Sequence, residues 1–178
     1  MRVRYVRYPA MDLPHAGLVW DGAYWVDGMQ VRDADAEGDH GTVDRTTFAL
    51  GGDEPRLVRE PRSTSAGESG ISPAAVTGQH YEPGASIEER NAFEAELRNL
   101  SGILLRTERM GLDPGDTVRA RLSGDGITVL SFSDRWPRRL HAELDGSPVP
   151  VERAPDGSIA LRLDLAGGTA HELLIRGR

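Results

Sequence analysis

The chain has no cysteine and no lysine, and all 21 of its basic side chains are arginine. The first absence excludes disulfides, thiolate nucleophiles, thiolate zinc sites and iron–sulfur clusters, and leaves the redox compartment open. The second excludes Schiff-base and lysine-base chemistry. Aromatic residues are scarce, at three Trp, four Tyr and three Phe. No apolar run approaches the length of a membrane span, and the N-terminus has no hydrophobic signal region. A cytoplasmic location is the default expectation, or a secreted one if a signal precedes the chain. Positive charge is also short. A formal net charge of −7 lacks the basic face that a nucleic-acid backbone needs, and it has the wrong sign for an anionic membrane.

Glycine and proline are plentiful, with 21 and 11 residues, and they punctuate short alternating runs. Asp116–Leu122 sets Val118, Ala120 and Leu122 against Thr117, Arg119 and Arg121. Ser158–Leu165 sets Ile159, Leu161, Leu163 and Leu165 against Ala160, Arg162 and Asp164. With Ile127–Ser133, Arg138–Leu144, Pro148–Arg153 and Thr169–Arg176, these runs predict six strands between residues 116 and 178. Glycine-rich turns separate them, including the tight Asp145-Gly146 pair. A period of two buries one face and leaves the other wet. The expected fold is mainly β: an antiparallel, jelly-roll-like β-sandwich with one amphipathic helix and a long irregular loop.

Three segments are expected. Residues 1–50 read as N-terminal hairpins of the same sandwich, with an edge strand at Met1–Tyr8. A three-strand meander follows over Gly17–Asp33, turning at Asp21-Gly22 and Asp27-Gly28, and a short strand at Thr46–Leu50. Residues 51–85 lose periodicity and read as a flexible loop or linker. Residues 86–178 carry the helix and the sandwich. The helix is predicted from the capping box Ser86-Ile87-Glu88-Glu89 to about Asn99, with Phe93, Leu97 and Leu100 as its apolar stripe and Gly102 as its stop. Ile103–Met110 then reads as extended.

Two clusters are candidate binding sites. Asp33, Asp35, Glu37, Asp39 and Asp44 fall within twelve residues that resemble the calcium loop of EF-hand-type proteins. Acidic oxygens stand at loop positions 1, 3 and 5, Gly38 is at the sharp turn, and a carboxylate closes the loop. The resemblance implies Ca²⁺ as the ion. Glu37 is longer than the usual residue, Asp44 replaces a bidentate Glu, and the flanks read as strands. A solvated acidic hairpin loop accounts for the same residues. The second cluster is aromatic: Trp20, Tyr24, Trp25 and Trp136. If exposed, these rings suit stacking on the C–H face of a sugar; if buried, they are core and corner residues.

The histidines are scattered, although His141 and Glu143 share one strand face at i, i+2 spacing. No G-x-S-x-G elbow or phosphate-binding loop is present. The last 75 or so residues, through the Leu144-Asp145-Gly146-Ser147-Pro148-Val149 hairpin, resemble the β-sandwich domains that close many bacterial glycoside hydrolases and polysaccharide lyases. That resemblance implies an accessory, non-catalytic module.

Three functions are therefore expected. The first is a non-catalytic module binding carbohydrate or another small polar ligand. The second is an interaction subunit docking on a larger enzyme. The third is a small β-barrel enzyme with a pocket under residues 51–85, using His80, Tyr81 or His141.

Overall fold

Alternating burial runs through almost every element of the computed structural model, which describes residues 2–35, 40–52, 55–63 and 74–177 and, for residues 60–63 and 74–77, the backbone alone. Seven strands form the larger sheet, in the order β1 (Arg2–Arg7), β3 (Gly41–Thr47), β6 (Ala92–Arg98), β8 (Val118–Gly124), β14 (His171–Gly177), β10 (Leu140–Leu144) and β11 (Ser147–Val149). Five form the smaller one: β12 (Val151–Arg153), β13 (Ile159–Asp164), β9 (Ile127–Phe132), β7 (Leu100–Leu105) and β2 (Val26–Val31). The sheets pack face to face, and their inward residues, among them Phe93, Leu97, Leu122, Leu130, Phe132, Leu161 and Ile175, share one core. No helix among the described residues is long and apolar enough to cross a membrane.

The strands expected of the last third are present, except that Pro148–Arg153 is broken at Pro150 into β11 in the larger sheet and β12 in the smaller. Ile159, Leu161 and Leu163 are buried, and β10 pairs with β11 around Asp145-Gly146. Both turn residues have positive φ, 51° and 77°, as a tight hairpin of this hand requires. β1 is an edge strand, as its alternation indicates.

The pairing is not wholly antiparallel. β6 lies parallel to β8, and β7 lies parallel to β9. The Ser123–Gly126 turn, which reads as a hairpin, instead carries the chain from β8 in one sheet to β9 in the other. Asn99, at φ 51°, does the same between β6 and β7. Two such arches stacked side by side give two parallel pairs. Gly124 sits where they touch: a Cβ there would come 2.9 Å from Leu165 Cβ and 3.1 Å from the Leu97 carbonyl oxygen.

The largest correction concerns residues 86–99, where no helix forms. Phe93, Ala95 and Leu97 are buried on strand β6 while Glu94, Glu96 and Arg98 point away. Phe93 and Leu97 are four apart, a spacing that suits one helix face and one strand face equally. Leu100 belongs to the next strand, and Ser86 bridges Gly52 instead of capping a helix. A short helix, α1, forms at Thr107–Met110, with Thr107 and Met110 buried, in a stretch that reads as extended.

Residues 51–85 are also more regular than expected. β4 (Arg56–Ser63) and β5 (Ala74–Glu82) form an antiparallel ribbon that joins neither sheet. Of the meander expected over Gly17–Asp33 only β2 forms as a strand, with isolated bridges at Leu13–Leu18 and Ala23–Val26; two 3-10 turns, at Pro9–Met11 and Pro14–Ala16, precede it. Asp27-Gly28 is an irregularity within β2, where its register to β7 shifts, not a turn between strands.

One inward residue of β3 breaks the apolar rule. Arg45 is 2 % exposed, its guanidinium stacks 4.1 Å from the centroid of the Trp25 ring, and none of its three nitrogens has a hydrogen-bond partner among the described residues. Small Ala95 stands opposite it on β6 and leaves room for the side chain. Loss of hydration pushes its pKa down to about 9, with Asp44 opposing the shift, so the group is still a cation at neutral pH. A buried cation without an anion is a net cost that cation–π attraction offsets only in part.

Arg45→Met should therefore melt higher than the parent, by about 1–4 kcal/mol at neutral pH. The folded pKa is the lower one, so the penalty is constant below about pH 9 and shrinks above it, as the folded state sheds a proton that the unfolded chain keeps. Thermal melts of both proteins across this range should show a level gap that narrows on the alkaline side; a lower melting point for the Met variant contradicts the reading. A second pair of melts tests the strand assignment of β6. Phe93→Ala should cost about 3–5 kcal/mol, while Ser86→Ala, with no helix to cap, should stay within about 0.5 kcal/mol.

Candidate functional site

The four aromatic candidates divide in two. Trp25 is 1 % and Trp136 is 4 % exposed, so neither offers a face to a ligand. Trp25 lies beneath Arg45. Trp136 is a corner residue that donates its indole N–H to the Ser133 carbonyl at 3.1 Å and packs edge-on against Phe132 at 5.5 Å. Trp20 at 57 % and Tyr24 at 70 % are exposed, but no hairpin sets them on a common face. Tyr24 sits in a left-handed turn at φ 58° whose carbonyl accepts from Arg109. Large rings in a chain this poor in aromatics have gone to fill the sandwich.

The acidic stretch is described only in part. Glu37 and Asp39 lie outside the described residues. Asp33 uses one carboxylate oxygen to accept the Asp35 N–H at 3.0 Å, and its own backbone is tied to the Asn99 side chain. Asp44 is in the middle of β3 and accepts from Arg2. Among the described residues no group of three or more acidic or histidine side chains could hold a metal ion.

The Arg2 hydrogen bond holds the Asp44 carboxyl below the usual carboxylate range, against partial burial. A carboxylate with a depressed folded pKa contributes stability above its unfolded pKa and loses it as pH falls through the folded one. Asp44→Asn should thus cost less than about 1 kcal/mol at neutral pH, since Arg2 is half exposed and screened. The difference from the parent should vanish in acid. Urea unfolding at the two pH extremes measures both; equal loss at both contradicts the pairing.

One surface feature is not announced by the sequence. A trough of about 750 Å³ lies over the outer face of the larger sheet, within the range of small-ligand sites. Register builds it. Glu94 on β6, Arg121 on β8 and Glu172 on β14 stand directly opposite one another. One step along the same strands come Ala92, Arg119 and Leu174, followed by Glu143 on β10. Short Ala92 and apolar Leu174 make a low floor, and the charged side chains rise around it. Arg90, 4.5 Å over the Phe48 ring, closes one end.

Among the described residues Glu94, Arg119, Arg121 and Glu172 form no ion pair, and their side chains make no hydrogen bond. Glu143, by contrast, is committed to His141 at 2.7 Å and to Arg176 at 3.0 Å. The trough therefore presents planar hydrogen-bonding groups of both signs, with unspent capacity, around an apolar floor. Alternation identifies Arg119 and Arg121 as solvent-facing. Only the parallel placement of β6 brings Glu94 beside them, and a helical reading of that segment conceals it.

The histidine pairs are local. His141 and Glu143 do meet, as their spacing allows. His171 Nδ1 lies 2.7 Å from Asp145 Oδ2 at the β10–β11 turn, and the Glu172 N–H and then His171 hold the Asp145 carboxyl below its usual range. His80 and Tyr81 lie exposed on β5 of the ribbon, and His141 lies on β10 of the larger sheet. Comparison with known protein families, with curated proteins and with solved structures finds no match to this chain.

Proposed function

We propose that the chain is a non-catalytic β-sandwich module that binds carbohydrate, or another small hydroxyl-rich ligand, in the trough on the outer face of its larger sheet. The observation that carries this reading is the row Glu94–Arg121–Glu172 with Arg119 beside it: four charged side chains in register, none spent on a neighbour. Guanidinium and carboxylate groups make paired hydrogen bonds to vicinal hydroxyls, while the Ala92 and Leu174 floor suits the C–H face of a sugar ring. The C-terminal resemblance to accessory domains of polysaccharide-degrading enzymes agrees with it.

Affinity electrophoresis against neutral and acidic soluble polysaccharides, followed by calorimetry on any that retards the protein, tests the reading. Arg121→Ala and Glu172→Ala should each weaken binding by about tenfold, or about 1.4 kcal/mol, and Trp20→Ala should leave it unchanged. Retardation by no polysaccharide, or full binding by the Arg121 and Glu172 variants, overturns it.

A second reading, an accessory subunit docking on a larger enzyme, is favoured by a different feature. Met11, Leu13, Leu18, Val19 and Trp20 are all exposed along the flank between β1 and β2.

A further inference from the structure

The sandwich has four sheet edges, and three are blunted. β11 is three residues long and contains Pro148. β12 is three residues long and follows Pro150. β2 is interrupted by register shifts, and the Met29 N–H is taken by the Asp21 carbonyl at 2.9 Å. Short strands, prolines and irregularities are the usual means of stopping an edge from recruiting another chain.

β1 has no proline, irregularity or shortening; its protection is charge alone, at exposed Arg2 and Arg4 and buried Arg7. It pairs with β3 over six residues without a shift, from Arg2↔Thr46 to Arg7↔Gly41. Among the described residues, positions 3–7 make no backbone hydrogen bond except within that ladder. The side of β1 turned away from β3 is a row of unspent donors and acceptors.

The side chains say what kind of strand fits beside it. Arg2 and Arg4 are exposed on the outer face of the sheet. Arg4 stands opposite Asp44, yet that carboxylate is bound by Arg2, and Arg4 has no ion pair among the described residues. On the inner side Tyr5 donates its hydroxyl to the Trp20 carbonyl at 3.0 Å, which places the exposed Val19–Trp20 flank next to the same edge. Positive charge thus lines one side of the slot and apolar surface lines the other.

A second copy is the wrong occupant. Pairing β1 with β1 across a two-fold sets Arg4 against Arg4, or one register along sets Val3 against Arg7. We propose that β1 is a docking edge for an extended acidic peptide segment of a partner protein, which adds as an eighth strand with acidic side chains facing Arg2 and Arg4 and apolar ones facing the flank.

The test uses the full chain and three synthetic hexapeptides at millimolar concentration: one alternating Glu with Val, one alternating Lys with Val, and the Glu/Val peptide N-methylated at alternate residues. Amide hydrogen exchange is read at each residue. The Glu/Val peptide should slow exchange at β1 by about tenfold and leave the β11, β12 and β2 edges unchanged. The Lys/Val and N-methylated peptides should have no effect. Arg4→Glu, which sets a carboxylate opposite Asp44 and so should melt somewhat below the parent, should transfer the protection to the Lys/Val peptide. No slowing at β1, equal slowing by the N-methylated peptide, or unchanged selectivity in the Arg4 variant overturns the proposal. So does a concentration-dependent dimer of the parent chain whose formation protects β1.

Discussion

Everything on the larger sheet depends on two arches that stack in parallel. Asn99 turns β6 into β7, Asp125 turns β8 into β9, and the two are fastened together. The Asn99 N–H donates to Asp125 Oδ2 at 2.8 Å, and Arg32 donates to the other oxygen of that carboxylate at 2.9 Å. Arg32 also reaches the Leu100 carbonyl, which accepts from the buried Thr128 hydroxyl as well. Backbone groups at such a corner leave both ladders and would otherwise be unpaired. The network supplies partners for them and fixes β6 against β8. Glu94 is consequently opposite Arg121, and the trough exists.

The interior has been filled in a way that favours specificity of packing over economy of charge. Arginine is the basic residue throughout, and β3 points one inward at a position that a Met or Leu would fill more cheaply. The indole of Trp25 covers its flat face, which is why an aromatic that might have served a ligand is in the core. Trp136 is spent similarly on a corner. With Trp25 and Trp136 committed to packing, the outer face of the larger sheet presents mainly Arg and Glu, which alternation keeps wet.

Legibility from sequence followed locality. The strands of the last third, the Asp145-Gly146 hairpin and the edge strand β1 are set by period-two alternation and by turn residues, both of which operate within a few residues. The sheet each strand joins is decided by contacts far apart in the chain, and there the reading failed. Ser123–Gly126 looks like a hairpin turn but serves as an arch. Phe93 and Leu97 satisfy a helical stripe and a strand face at once, and only packing on Ala120 and Leu122 selects the strand. Asp44 has the right spacing for a calcium loop, while its place opposite Arg4 on β1 and its bond to Arg2 come from residues about forty positions away. The trough was invisible for the same reason, since its side chains come from strands that no local pattern could have shown to be neighbours.

The parallel contact of β6 with β8 is the point on which fold and proposed site stand together, and proton NMR addresses it directly. Inter-strand Overhauser contacts should tie Phe93–Leu97 to Ala120–Gly124 in a parallel register, with Glu94 beside Arg121. A run of contacts between residues three apart through Glu88–Asn99, the mark of a helix, would contradict the arrangement and remove the trough with it.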